Sequence, residues 1–400
     1  MAIKMAAVVL DNGAGLAKVG YSTDKNPRLM PNCITKAKSV RTRTFIGDQI
    51  DDCKDLSGLF YLLPFQKGYL VNWETQRQIW DYMFGKDGLK VNFHDSNIIV
   101  TEPYFNFHSV QEAMDEIFFE EYQFNSVFRC NPSFLSQYKH CKEKDQKPLC
   151  SIVLDAGYSF THIIPYCKGK KLAECTKRID VGGKVMTNHL KEVISYRQLM
   201  VMDETYVLNQ LKEDVCYVSQ DFMKDMEIGR KKGKENTIAR DYVLPDYTHI
   251  KRGYVKPLEE TTGRAKDGEQ IIRMNNERFT IPELLFHPSD VGIHEMGVAE
   301  AVVHTIQSLP EEMQPHMYNN VILTGGNCKM PGFYSRMERE TRSMTPDEYD
   351  LCMKKPENPS TYAWEGGTML AKDPQIKKMS VTREEYEENG HNICFEKFDV

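Results

Sequence analysis

The sequence predicts an α/β fold built as two lobes, and three observations carry that expectation. The chain has 400 residues, more than one hydrophobic core usually organises at roughly 100–200 residues per domain. A short apolar run followed by Asp, one spacer and Gly occurs twice, and the two aspartates, Asp11 and Asp155, lie 144 positions apart. Strand-type runs alternate with helix-period stripes in both halves, the pattern of mixed layers.

The first element is Ala6–Leu10, a strand-type run entering Asp11-Asn12-Gly13-Ala14-Gly15, with a second extended segment from Leu16 to Tyr21. Ser151–Leu154, Asp155-Ala156-Gly157-Tyr158-Ser159 and Phe160–Tyr166 repeat that order. Each reads as a β-hairpin whose Gly supplies positive φ at the turn. Such turns leave backbone N–H groups to face an anion, and an entering Asp can hold a hydrated Mg²⁺. A third element, Val321–Thr324 into Gly325-Gly326, is a buried-type strand ending in a glycine pair, and after Pro331-Gly332 a charged helix is predicted over Phe333–Arg342. Strand, Gly-Gly and helix can bring backbone close to a ribose or phosphate, and equally make a ligand-free tight turn.

Helical stripes occur at Val110, Met114, Ile117 and Phe118, at Leu208, Leu211, Val215 and Val218, and at Val298, Val302, Ile306 and Leu309. All three read as core faces. Lys212 and Glu213 sit off the second stripe, on a solvated face or reaching into a cleft. Residues 139–149 are charged and aperiodic, and residues 246–270 carry ten charges, three glycines and one proline. Both read as surface excursions, the second as a protruding loop or mobile arm. Arg230-Lys231-Lys232-Gly233-Lys234 reads as a solvated basic loop rather than an import signal.

Composition narrows the function classes. Apolar residues make up 41% and charged residues 27%, which supplies core material and excludes disordered, collagen-like and disulfide-scaffold chains. No apolar run approaches about 18 residues, so no membrane-spanning helix is expected. The run Met5–Leu10 is too short for a signal-peptide core. A net charge of −6 gives no global basic footprint for nucleic acid, so DNA contact would be local or made by a partner. The eleven cysteines include no C-x-x-C pair, and adjacent His140 and Cys141 lack a second ligand pair, so no zinc site or disulfide framework is indicated. The thiols are expected to be reduced, in cytosol or nucleus.

The ordered segments DNGAGLAKVGY (11–21), IVLDAGYSFTHIIPY (152–166), LKEDVCYVSQDF (211–222), NERFTIPELLF (276–286) and NVILTGGNCKMPGF (320–333) resemble the successive motifs of the actin family. The resemblance runs from Val8 to about Phe398. It implies an actin-like two-lobed fold, each lobe on a mixed five-stranded sheet, with a nucleotide cleft between them. The first lobe would comprise 1–149 and 360–400, with a small subdomain at about 33–70. The second would comprise 150–359, with a peripheral subdomain at about 184–275 that carries the charged loop 246–270. Within that cleft the resemblance assigns Asp11 and Asp155 to a water-bound Mg²⁺, with no direct metal ligand. It assigns Gly13, Gly15 and Lys18 to the first phosphate clamp and Gly157 to the second. Lys212 and Glu213 would contact adenosine, and Gly325 and Gly326 would flank nucleotide and ribose.

The departures from the family pattern bear on mechanism. A serine hydroxyl of the first clamp is replaced by Ala14. An Asp-Gly pair of the second is replaced by Tyr158 and Ser159, so a metal-shell carboxylate is lost and a phenol stands in phosphate space. The water-orienting glutamine aligns with Pro132; Gln137 is a different position. The aromatic beneath adenine appears as Met330 and a lysine near the base as Ser360. Removing one transition-state-stabilising group typically costs a few kcal/mol of barrier, so the expectation is a non-catalytic protein. No cofactor is required. The remaining skeleton suits ATP or ADP with Mg²⁺ held as a structural wedge, or an empty cleft whose glycines serve the turns.

The segments TEPYFNF (101–107), ISYRQL (194–199), VMDE (201–204), YAWEGG (362–367) and REEYEENGH (383–391) are similar to a nuclear subclass of actin-related proteins. That likeness implies a subunit of a Swr/SRCAP-type chromatin remodeller, which exchanges histone H2A for its variant with ATP hydrolysed by another subunit. The implied partners are the remodeller ATPase and a zinc-finger HIT-domain protein, with histones and nucleosome met through the complex. The implied compartment is the nucleus, with room for a cytoplasmic pool and no membrane contact. Filaments are not expected, because only Arg41 to Asp55 separates Ser39-Val40 from Leu56, a shortened version of actin's inserting loop. The alternatives are a sugar-kinase-like or chaperone-like ATPase on the same two-hairpin cleft and, with less support, a filament-forming actin.

Overall fold

The computed structural model describes residues 6–38, 40–144 and 147–398. Ser39 and residues 145–146 of the charged segment lie outside them. Among the described residues the chain forms two six-stranded sheets, one more strand in each than the resemblance implied. The first runs Val381–Thr382, Ser126–Cys130, Asn97–Thr101, Val8–Asn12, Leu16–Tyr21, Arg28–Pro31. The second has Cys150–Ala156 between Thr161–Cys167 and Val321–Thr324, with Met353–Lys354 beyond the latter and two short strands beside the former.

The sequence repeat is thereby a structural repeat. Val8–Asn12 pairs antiparallel with Leu16–Tyr21 and parallel with Asn97–Thr101. Cys150–Ala156 pairs antiparallel with Thr161–Cys167 and parallel with Val321–Thr324. Helices cover these central strands on both faces, so their side chains read as unbroken apolar runs rather than an alternation. Val8, Val9, Leu10, Ile152, Val153 and Leu154 are all fully buried. Each such side chain contributes roughly 1.5–3 kcal/mol by leaving water. Two cores result, one around Trp80, Phe118 and Trp364, the other around Met186, Leu208 and Val302.

The predicted stripes fall on Thr205–Val215, Val298–Gln307 and His108–Glu116, the last continuing through a wide turn at Ile117–Glu121, except that Val218 and Leu309 lie just past their helices, where both are still buried. The charged helix spans Phe333–Met344. Two expectations are corrected. Residues 139–143 are the end of the helix Pro132–Glu143 rather than a loop, because His140 is buried and Lys139 pairs with Glu365. Residues 246–270 are tied down. Tyr254–Val255 pairs with Arg240–Val243, buried Lys256 meets Glu269 at 2.6 Å, and the Asp246 carboxylate accepts three backbone N–H groups. The shortened segment Arg41–Asp55 continues the strand Val40–Ile46, which pairs with Ile34–Ala37, into a 3₁₀ turn at Gly47–Asp52.

The lobes meet where the helix Pro132–Glu143, itself packed on Tyr362–Leu370, lies against the strands Cys150–Ala156 and Val321–Thr324 of the second lobe. Tyr104 and Tyr362 join Val153, Ile164 and Ile322 in a small shared core, and Ser133 Oγ lies 2.6 Å from Tyr166 Oη. Sheet edges and hairpin turns of both lobes then face one another across a cleft.

A closed interlobe cleft

The first hairpin places Asp11 opposite Lys18 in register, and the Lys18 ammonium sits 2.9 Å from Asp11 Oδ2. The Thr101 hydroxyl donates to Asp11 Oδ1 at 2.8 Å and accepts the Asn12 N–H. Thr101 ends the parallel strand beside the hairpin, the edge from which α/β sheets present ligand-facing groups. Sequence reading left it unassigned. Asp155, on the second hairpin, is half-buried. Burial, and after it the charge of Asp11, push its carboxyl up to about 6, while Lys18 draws it down.

Between the turns lies a cavity of about 210 Å³. Its lining includes Asp11, Gly13, Ala14, Gly15, Lys18, Pro132, Asp155, Gly157, Tyr158, Ser159, Gly325, Gly326 and Ser360. These positions, spread along the chain from Asp11 to Ser360, converge here. Lys212, Glu213 and Met330 stand outside that lining. Lys212 is buried and donates to Gly183 O, Thr187 Oγ1 and Asn209 Oδ1 at 3.2, 2.9 and 3.0 Å. It is an internal tie between helices, neither solvated nor aimed into the cavity, whereas Glu213 is exposed. Met330 borders a separate groove behind Pro359.

Two expectations about the turns are corrected. Gly13, Gly15 and Gly157 do not have positive φ, whereas Gly325 does, at 94°. Close approach explains Gly15 instead. A Cβ built there would lie 2.6 Å from Cγ of Tyr158 and 2.9 Å from its Cδ2, well inside contact distance. The N–H groups of Gly13 and Gly157 also turn into their own hairpins, donating to Asp11 O and Phe160 O at 3.0 and 2.9 Å, rather than toward an anion.

Tyr158 therefore stands between the two turns, its ring against Gly15 on one side and near Gly183 on the other. Burial pushes its phenol up to about 12, so it is a neutral group at physiological pH. Ala14 and Pro132 offer no side-chain hydrogen-bonding group to the cavity. Gln137 is buried on the helix Pro132–Glu143 and donates to Cys141 Sγ at 3.0 Å, away from the lining. His162 is packed between Tyr104 and Phe160 (ring centroids 4.5 and 6.0 Å), and burial pushes its imidazole down to about 3, leaving it uncharged.

The mouth of the cleft is closed by contacts that sequence alone did not signal. The Gly58 N–H donates to both Glu204 carboxylate oxygens at 3.0 and 3.3 Å. Tyr61 and Tyr206 pack on the same small cluster as Phe45, Ile50 and Leu59. Arg178 reaches across to Tyr69 Oη at 3.0 Å. Ligand pockets usually measure about 300–1,000 Å³, so the cavity left by Tyr158 falls below that range. Its acidic pair Asp11 and Asp155 suits a hydrated cation. The adenosine-side residues do not face it, so this closed cleft does not fit a whole nucleotide.

The Actin family profile matches residues 3–399. The chain belongs to the actin family. Within it the chain is 44% identical to Actin-related protein 6 of Drosophila melanogaster, over 96% of this chain and 98% of that one. It is 40% identical to Actin-like protein ARP6 of Cryptococcus neoformans, over 98% and 84% of the respective chains. It is 36% identical to Actin-related protein 6 of Arabidopsis thaliana, over 98% and 99%. The paired hairpins that frame the cleft are thus an actin-family feature, and Tyr158 is set into that frame.

Proposed function

We propose that this actin-family chain is a non-catalytic scaffold subunit of a Swr/SRCAP-type chromatin remodeller, which exchanges histone H2A for its variant in transcriptional regulation. In this reading ATP is hydrolysed by a different subunit. The chain presents two lobes, braced at the helix crossing and latched at the mouth, to the remodeller ATPase and a zinc-finger HIT-domain protein. It works in the nucleus, and histones are met through the assembly. In this reading the chain uses neither ATP nor ADP as a substrate.

One observation carries the reading: the ring of Tyr158 stands between the two turns that would grip a phosphate, touching Gly15. A phenol there removes a carboxylate from the metal side, and Pro132 and Ala14 supply nothing that orients water or contacts a terminal phosphate. Hydrolysis rests on such positioned groups. The names of the relatives support the same subclass.

Affinity purification of the tagged chain from nuclear extract tests the proposal. Recovery of a large remodelling ATPase with a zinc-finger HIT protein is expected, and recovery of the chain alone would overturn it. Incubation of the purified chain with Mg-ATP is expected to release no phosphate above background. Sustained turnover would instead favour the ATPase reading.

A further inference from the structure

Cys150 opens the strand that follows the segment joining the two lobes, and Cys167 closes its antiparallel partner. They are register partners, so both side chains stand on one face of the sheet. The type of pair follows from the hydrogen bonds. The Lys168 N–H donates to Leu149 O at 2.7 Å, so 149 and 168 form the hydrogen-bonded pair and 150 and 167 the neighbouring non-hydrogen-bonded one. In such pairs the Cα atoms approach to about 4.5 Å, at the short end of the range that a disulfide spans. The two side chains are neighbours on that face, and the Cys167 thiol helps to raise that of Cys150.

We propose that Cys150 and Cys167 form a redox-active dithiol, a site that closes to a disulfide when the chain meets a peroxide and reopens with a thiol reductant. Cys150 is fully buried and Cys167 is half-buried beside the Lys168-Gly169 turn, whose φ values of 51° and 79° belong to a tight hairpin loop at the sheet's end. Burial, and then the neighbouring thiol, hold the Cys150 thiol up at about 12, with Lys168 opposing. Attack therefore starts at Cys167. Its sulfur takes one peroxide oxygen and becomes a sulfenic acid, and the other oxygen leaves as water. The Cys150 sulfur then attacks the Cys167 sulfur, the S–O bond breaks, and the hydroxyl departs with the Cys150 proton as a second water. Two thiols and one hydrogen peroxide become one disulfide and two waters, the sulfurs losing two electrons to the peroxide. The resolving thiol stands in place, so oxidation stops at the reversible stage.

The full chain, treated with a small excess of hydrogen peroxide, capped with N-ethylmaleimide and mapped without reduction, tests this. The expected result is a Cys150–Cys167 linked peptide as the major product, with two free thiols lost and both regained in dithiothreitol. Cys167→Ser should reduce thiol loss at least fivefold, whereas replacing the exposed Cys352 by Ser should change nothing. A Cys167–Cys175 link, or sulfinic acid at Cys167 with Cys150 still capped by maleimide, would overturn the proposal. A second readout needs no variant. Phenylarsine oxide, which bridges paired thiols, should protect Cys150 and Cys167 together from alkylation at one arsenic per chain. Protection of neither would also overturn it.

Discussion

The aromatic ring of Tyr158 rests on the bare backbone of Gly15, so the two hairpin turns of this actin-family chain touch through one side chain. Gly15→Ala should therefore cost about 1–3 kcal/mol through overpacking. Tyr158→Ser in the same chain should recover most of that loss. Urea unfolding of both single variants and the double variant measures the coupling, expected at about 1–2 kcal/mol. Additive costs would mean that the ring does not press on the turn.

Asp155 is held at a cost. Its folded pKa of about 6 lies above the ordinary carboxylate value, so the folded state binds its proton more tightly than the unfolded chain does. Its share of stability thus falls as pH rises from about 4 to 6, and the loss is complete above that. Asp155→Asn should stabilise the protein at pH 7 by about 2 kcal/mol and flatten that part of the curve. Denaturant midpoints across pH 4 to 7 provide the check.

His162 works in the opposite direction. Its folded value near 3 lies below that of a free imidazole, so the unfolded chain binds the proton first. Stability is lost as pH falls below about 6.5, by about 2–3 kcal/mol on reaching pH 4.5. His162→Gln should remove that acid sensitivity while Asp155 is left in place, and thermal melts in matched buffers would show it.

Arg129 is fully buried between Glu102 and Asp115, at 3.0 and 2.8 Å. Arg129→Met would leave two carboxylates buried without their cation, at a cost of about 3–5 kcal/mol. The triple change in which Met, Gln and Asn replace Arg129, Glu102 and Asp115 should cost less than the single one. Chemical denaturation ranks the two.

Glu204, just before the helix Thr205–Val215, accepts the Gly58 N–H across the mouth of the cleft. Glu204→Ala should speed amide exchange at Gly58 roughly tenfold, because a hydrogen bond to a charged acceptor contributes about 1.5–3 kcal/mol. Exchange in the first hairpin should stay unchanged, since its ladder is internal to one lobe. A uniform rise across both lobes would mean that the contact supports global stability rather than the mouth.

Amino-acid order alone established the duplicated hairpins, the strand before Gly325 and the three core helix faces, because strand and helix periodicities and Asp–Gly turns are local properties. It also located the positions that line the cleft, through motifs whose spacing outlives changes in side chain. It misplaced Lys212, whose amine is claimed by three acceptors from two helices, and it read 139–143 and 246–270 as loose. Charge density predicts solvation, yet His140, Lys139 and Lys256 find partners far along the chain. Why Gly15 is glycine, and how Glu204 closes the mouth, were decided only when the lobes packed. Both depend on atoms about 145 residues apart coming within contact, and no local pattern records that.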